Sequence, residues 1–259
     1  MSTQEAKVRF PDPRGLRLSD LIAALPEGAV IEIAPGRYFE SIHISRSVTL
    51  RGAGDLTRIG GLGRDSIITV DAEGAEVHLE SMSLEGGGGP AGGGVCLRAG
   101  QLELRNLRIH RARAERGGAL AVLGGHLSAR LLRVEDVRAK EGGAIWVGDG
   151  GVLELSEAEI RGAKAERGGM LYADDGSRVA LSALTVSKAR AKLQEGGQVL
   201  WIEGARTVVS LERVRLADPA IGRPLAGGQE ALIQVTGSDL PGLVSVEPGV
   251  VDLGGNRWR

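Results

Sequence analysis

The stretch that decides the fold is GGAIWVGDGGVLELSEAEI, residues 142–160, which holds one complete unit of a repeat found along the 259-residue chain. The unit begins with a Gly-Gly pair and ends with the pattern apolar-x-apolar-x-x-apolar-x-apolar. Alternation with a period of two indicates a strand with one buried face. The additional residue in the middle indicates a bend where two short strands meet at a corner.

The same unit recurs on both sides of this stretch. Gly-Gly pairs begin at positions 93, 117, 142, 168, 196 and 227, at intervals of 24, 25, 26, 28 and 31 residues. The apolar pattern recurs in residues 77–84, 102–109, 127–134, 153–160, 179–186 and 209–216. A third short strand follows each pair, and its predicted inward residues lie two positions beyond the second glycine: Cys96, Leu120, Ile145, Leu171 and Val199.

Three short strands per repeat, with no helix or hairpin turn between repeats, predict a coil in which rungs stack in parallel about 4.8 Å apart. The rungs are longer than those of left-handed hexapeptide coils. We therefore predict an all-β, right-handed parallel β-helix of roughly eight to nine rungs. Leu18, Leu21, Ile22 and Leu25 have helical spacing, so residues 1–28 are predicted to form a tail and capping helix, and residues 29–259 the β-helix.

Composition limits the function classes. Lys and Arg number 32 against 33 Asp and Glu, so a broad basic field for nucleic acid is excluded and nucleic acid is an unlikely partner. A single cysteine, Cys96, cannot form an intramolecular disulfide, and the first 25 residues hold no apolar stretch that resembles a signal peptide or membrane span. We predict a cytoplasmic protein with no membrane partner.

Two families carry similar sequence features. Residues 142–160 resemble the GGA-I repeats of chlamydial polymorphic membrane proteins and related autotransporter passengers, although their Phe-x-x-Asn half is missing. Residues 29–55, AVIEIAPGRYFESIHISRSVTLRGAGD, resemble the opening rungs of the pectin-lyase-like superfamily, which includes pectinesterases and carbohydrate-binding and sugar-hydrolase domains. The resemblance implies the fold, but none of the catalytic motifs of that superfamily can be matched residue by residue.

Stacking places equivalent residues of successive rungs in ladders on the outer surface. Three positions past the second glycine lies an apolar stripe, which suits a protein partner or sugar rings unless a turn or a second subunit covers it. Because one register step exchanges the faces, the stripe also depends on the inward assignment. Its members are Leu97, Ala121, Trp146, Tyr172 and Leu200.

Two charged ladders accompany the stripe. Asp149, Asp175 and Glu203 are candidates for acid–base chemistry on polysaccharides, although Asp-Gly and Glu-Gly are also ordinary turn dipeptides. Four cations stand four residues before a Gly-Gly pair, either as an electropositive strip for an acidic polymer or as a solvated face paired with Glu115, Glu141, Glu166 and Glu195. This basic ladder consists of Arg113, Arg138, Lys164 and Lys192.

The leading hypothesis is a non-catalytic binding or assembly module that contacts a protein partner or a second copy of itself through its outer face. The alternative is a carbohydrate-binding or polysaccharide-cleaving protein, either a lyase or a glycoside hydrolase. The loops stay short until about residue 217, which leaves little to enclose a substrate and favours the first hypothesis. His43, His78, His110 and His126 lack metal-ligand spacing, so no metal or cofactor is predicted.

Overall fold

The computed structural model describes residues 6–192, 199–218, 225–227, 231–241 and 249–258. In these ranges the chain winds into a parallel β-helix of about eight turns, as the repeat predicts. Every strand pairing within them is parallel. The central rungs pair in register, whereas the pairings of residues 48–60 and 68–85 with the rung that follows contain register shifts. No helix in the described ranges is long and apolar enough to cross a bilayer.

The N-terminal elements are β1 (Lys7–Phe10), α1 (Leu18–Ala24), β2 (Ala29–Ile33), β3 (Gly36–Phe39), β4 (Ile42–Ile44), β5 (Val48–Gly60), β6 (Ile68–Glu85) and β7 (Val95–His110). The central elements are β8 (Leu120–Val122), β9 (His126–Arg130), β10 (Arg133–Glu135), β11 (Ile145–Val147), β12 (Val152–Arg161), β13 (Lys164–Ala165), β14 (Leu171–Ala173), β15 (Arg178–Ser187) and β16 (Arg190–Ala191). The C-terminal elements are β17 (Leu200–Ile202), β18 (Val208–Leu216), β19 (Leu225–Gly227), β20 (Leu232–Thr236) and β21 (Val250–Asp252). Residues 243–246, LVSV, which we expect from the sequence to form one of the last rung strands, lie outside the described residues.

Each complete rung contributes to three faces of the coil. The first sheet holds the strands that follow Gly-Gly pairs, namely β8, β11, β14, β17 and the first residues of β7. It also holds β4, β19 and the first residues of β6. The second and third sheets hold the two halves of the apolar pattern, and long strands such as β12 and β15 continue from one sheet into the other. The first sheet is therefore the face on which the predicted outer stripe must lie.

The corner between the second and third sheets forms at the additional residue of the pattern. At this position the backbone φ is positive, between +52° and +57°, in six successive rungs. A single residue in this left-handed region turns the chain sharply and resets which side chains point inward. The six residues are Ser81, Asn106, Leu131, Glu157, Ala183 and Arg213.

The interior is filled by stacked aliphatic side chains. On the second sheet one ladder consists of Leu102, Leu127, Leu153, Val179, Val209 and Ile233, each at most 2% exposed. Burying one such side chain stabilises the fold by about 1.5 to 3 kcal/mol. Leu120, Ile145 and Leu171 point into the same core, as predicted.

The predicted helix covers the N-terminal end of the core. Leu18, Leu21 and Ile22 are buried. The helix lacks a side-chain cap of its own, but the carboxylate of Glu40 accepts hydrogen bonds of 3.0 Å from the backbone N–H groups of Leu18 and Ser19. At the other end of the coil, Trp258 packs against the core and donates from Nε1 to Asp252.

The Gly-Gly pairs close the corner before the first sheet. The first glycine of each pair has a positive φ, +62° at Gly117 and +60° at Gly142. A Cβ atom on Gly142 would overlap the carbonyl oxygen of Ile145, so no other residue fits without a shift of the backbone. In the rung of Cys96 the equivalent pair begins at Gly92, because Gly93 donates to the carbonyl of Gly117.

Candidate functional site

A second apolar cluster lies on the outer side of the first sheet, separate from the core. Its ladder consists of Cys96, Ala121, Trp146, Tyr172 and Trp201, which are paired from rung to rung. The rings of Tyr172 and Trp201 stack with a centroid distance of 6.4 Å and an interplanar angle of 3°. The predicted stripe therefore exists, with Trp146 and Tyr172 on adjacent rungs.

The ends of the predicted stripe are corrected by one residue. Leu97 and Leu200 point into the core, where they are 0% and 1% exposed, so they cannot contact a partner. Cys96, predicted to point inward, belongs to the outer ladder. The first error arises because residues 92–94 are three glycines and the pair begins at Gly92. The second error arises because one additional residue separates the Gly-Gly pair at position 196 from the strand that follows. Trp201, and not Leu200, therefore lies beside Tyr172.

Most of the stripe is covered by the protein's own turn residues. Trp146 is 2% exposed and Tyr172 3%, whereas Trp201 is only partly buried. The guanidinium carbon of Arg116 lies 4.6 Å from the ring centroid of Trp146. That of Arg167 lies 5.5 Å from the Tyr172 ring and 5.6 Å from the Trp201 ring. Such cation–π contacts stabilise the covered state, and Trp201 is left as the accessible aromatic side chain of the ladder.

The predicted carboxylate ladder is not a single row. Asp149 and Asp175 are exposed turn residues with positive φ, each followed by a glycine with positive φ, which fits the turn interpretation. Glu203 lies one position earlier in its rung and is aligned with Asp174. The backbone N–H of Asp174 donates to the carbonyl of Val147, and the backbone N–H of Glu203 donates to the equivalent carbonyl of Ala173. The residue aligned with Glu203 on the preceding rung is therefore Asp174, which sequence analysis missed.

The carboxyl group of Asp174 lies in a setting that favours its neutral form. Burial, together with the charges of Asp175, Glu203, Glu141 and Asp149, raises its pKa to about 7. Its Oδ1 atom is buried without a hydrogen-bond partner among the described residues. A Cβ atom on Gly148 would overlap this oxygen, so the glycine makes room for the carboxyl group. Asp174 can therefore hold a proton near neutral pH.

Glu203 is held in place by two neighbouring rings. The hydroxyl of Tyr172 donates to Oε1 of Glu203, and Nε1 of Trp201 donates to Oε2 at 2.8 Å. Burial and this hydrogen bond raise the pKa of Tyr172, so the phenol remains a donor. A carboxylate that accepts from both oxygens has a fixed orientation. The site thus combines a carboxyl group with a raised pKa, an oriented carboxylate and a partly exposed indole.

The basic ladder lies on the neighbouring corner, between the third sheet and the Gly-Gly pairs. Arg113, Arg138 and Lys164 are bridged from rung to rung as predicted, but the fourth member is Arg190. Lys192 lies two positions further along, because the segment before residue 196 is two residues longer than in the preceding rung. Glu115 pairs with Lys140 and Glu141 with Arg167, so neither pairs with the ladder, and Glu195 lies outside the described residues.

Asp174 and Trp201 could have been recognised only with the correct register. Asp174 precedes Asp175 in an Asp-Asp-Gly turn. Trp201 follows Leu200, which occupies the position that counting from the Gly-Gly pair assigns to the outer stripe. No three His, Cys, Asp or Glu side chains within the described ranges are grouped to hold a metal ion.

No family model matches the chain, and no curated protein matches its sequence. An alginate lyase from Paenibacillus sp. str. FPU-7 is similar with a TM-score of 0.55 and 13% identity, over 92% of this chain and 95% of that one. A pectin methylesterase from carrot is similar with a TM-score of 0.52 and 14% identity, over 98% of this chain and 79% of that one.

Both neighbours have right-handed, pectin-lyase-like β-helix folds, so the predicted fold class and its hand are confirmed. At such identities the likeness concerns the fold alone. The resemblance of the repeats to polymorphic membrane proteins and autotransporter passengers stays a prediction.

Proposed function

We propose that this protein binds a saccharide on the outer face of the first sheet, at the rung of Trp201. The supporting observation is a partly exposed indole stacked on Tyr172, whose Nε1 donates to Glu203, while Asp174 is aligned with Glu203 on the preceding rung. An aromatic face with a few fixed polar groups at its edge suits a sugar, which has both apolar C–H faces and hydroxyl groups.

This proposal keeps the binding role of the leading hypothesis and takes its ligand from the alternative. Because Trp146 and Tyr172 are almost completely covered, they offer little surface to a partner protein or a second copy. The two structural neighbours bear names that refer to alginate and pectin. The proposal rests on the residues around Trp201, since the neighbours share only the fold.

The test is to titrate neutral and uronate oligosaccharides into wild-type protein and two variants by calorimetry. Trp201→Ala removes the platform and should weaken binding by at least about tenfold, because buried aromatics dominate binding energies. Trp258→Ala is the matched control, since this partly buried tryptophan lies at the C-terminal end. No binding by wild-type protein, or equal losses in both variants, would contradict the proposal.

A second candidate function is hydrolysis of the bound saccharide, which the raised pKa of Asp174 favours. A carboxyl group protonated near neutral pH can act as general acid while an ionised carboxylate nearby acts as base or nucleophile. This assigns the chemistry to Asp174 and Glu203 instead of Asp149 and Asp175.

Release of reducing ends separates binding from hydrolysis. Asp174→Asn should lower turnover by about 10²- to 10⁴-fold while saccharide binding is retained. Asp65→Asn, at an exposed position that is not among the charges that raise the pKa of Asp174, is the control and should keep most of the activity. A wild-type protein that binds saccharides without turnover would leave binding as the function and exclude hydrolysis.

A further inference from the structure

The basic ladder is a row of like charges on the outer surface of the coil. Arg113, Arg138, Lys164 and Arg190 are exposed and occupy equivalent positions on four successive rungs. Among the described residues, none of the four side chains has a salt bridge or hydrogen bond. Like charges directly opposite one another on neighbouring strands are destabilising. The row therefore does not stabilise the fold.

A second ladder, two residues away, provides a comparison within the same corner. It consists of Glu115, Lys140, Glu166 and Lys192, so its charge alternates from rung to rung. Nζ of Lys140 lies 2.8 Å from Oε1 of Glu115, and this hydrogen bond raises the pKa of Lys140. In this pair, opposite charges on neighbouring rungs compensate each other within the protein. All four residues of the basic ladder carry a positive charge, although they are as exposed as those of the alternating ladder.

The two ladders flank a shallow groove of about 480 Å³. Alanine side chains form its floor, at positions 114, 139, 165 and 191. Between Arg113 and Arg190 the groove crosses three rung spacings, roughly 14 Å in all. Small residues keep the floor low, so a flat chain can lie along the coil axis with the four cations beside it.

We infer that this groove binds an extended acidic polysaccharide, which places one anionic group near each cation of the basic ladder. The rung spacing of about 4.8 Å is close to the length that one pyranose adds to an extended chain. Successive phosphates of one strand in duplex DNA advance about 3.4 Å along the axis, and the lining residues include no aromatic ring on which bases could stack. Carboxylated and sulfated chains share the required chemistry.

This inference is independent of the saccharide site at Trp201, because it concerns another face and other residues. The experiment measures binding of polygalacturonate, dextran sulfate, neutral dextran and oligo-dT over a range of salt concentrations. The test variant replaces all four cations by glutamine: Arg113→Gln, Arg138→Gln, Lys164→Gln and Arg190→Gln. The control makes the same change in charge on the second and third sheets: Arg105→Gln, Arg133→Gln, Arg178→Gln and Arg215→Gln.

Wild-type protein should bind polygalacturonate, dextran sulfate or both, but not neutral dextran, and log K should fall with log salt. Loss of four contacts should weaken binding at low salt by at least about tenfold and flatten the slope by about 3, while the control should retain most of the affinity. Binding of polygalacturonate alone assigns carboxylate recognition, and binding of dextran sulfate alone assigns sulfate recognition. Equal loss in both variants, no binding of either polysaccharide, or tighter binding of oligo-dT would overturn the inference.

Discussion

At the scale of single residues, the corners of the coil depend on glycines that make room for neighbouring atoms. Gly142 and Gly150 both have positive φ, +60° and +73°. A Cβ atom on Gly142 would overlap a carbonyl oxygen, whereas one on Gly150 would meet nothing within 4 Å. The two glycines therefore separate the cost of backbone conformation from the cost of contact.

Alanine substitutions test this distinction. Gly150→Ala should lower the free energy of unfolding by about 1 to 2 kcal/mol, the cost of the left-handed conformation. Gly142→Ala should cost clearly more, because the backbone of the corner must also shift. Denaturant unfolding of both variants measures the difference. Equal losses would show that the corner is looser than described.

The raised pKa of Asp174 predicts a pH dependence of stability. The folded protein holds this proton up to about pH 7, whereas an ordinary aspartate ionises near 3.8. Between these values the unfolded chain loses the proton first, so the contribution of Asp174 to stability falls as pH rises. Asp174→Asn should therefore gain stability relative to wild type between pH 5 and pH 8.

Urea unfolding at both pH values measures the relative stability of the Asp174→Asn variant. The control is Asp65→Asn, an exposed residue that is not among the charges that raise the pKa of Asp174 and that makes the same change in charge. A relative stability of Asp174→Asn that stays constant with pH, or changes as it does in the control, would argue against a raised pKa of Asp174 in the folded protein.

At the scale of elements, much of the fold could be predicted from the sequence. The positive φ at Ser81, Asn106 and their equivalents occurs at the additional residue of the apolar pattern. The site was harder to predict, because it depends on register. One additional residue between the Gly-Gly pair at position 196 and the strand places Trp201 instead of Leu200 on the outer face. The setting of Asp174 depends on charges from neighbouring rungs, which no local pattern reveals.

The capping helix provides a test at this scale. Glu40 is 8% exposed and accepts from two backbone N–H groups at the start of α1. Glu40→Ala should lower the free energy of unfolding by about 1 to 3 kcal/mol, because buried donors lose their partners. Glu73→Ala, at an exposed position, is the control. Similar small losses in both variants would mean that solvent replaces Glu40 and that the cap contributes little.

At the scale of the whole molecule, stacking turns one repeated residue into a surface. The same rung-to-rung alignment produces the covered aromatic ladder of the first sheet and the basic ladder on the adjacent corner. Because the rungs are rigidly hydrogen-bonded, such surfaces keep a fixed spacing along the coil axis. Binding of extended chains is a use that suits this geometry.

A crystal structure of the protein with an oligosaccharide, a tetragalacturonide or cellotetraose, tests the proposed function most directly. The expected result is density for a sugar ring in contact with the indole of Trp201, with hydroxyl groups within hydrogen-bond distance of Glu203 or Asp174. A tetragalacturonide in the basic groove as well would agree with the second surface. Crystals soaked at a saturating oligosaccharide concentration that show no sugar beside Trp201, or sugar bound only elsewhere, would contradict the proposed site.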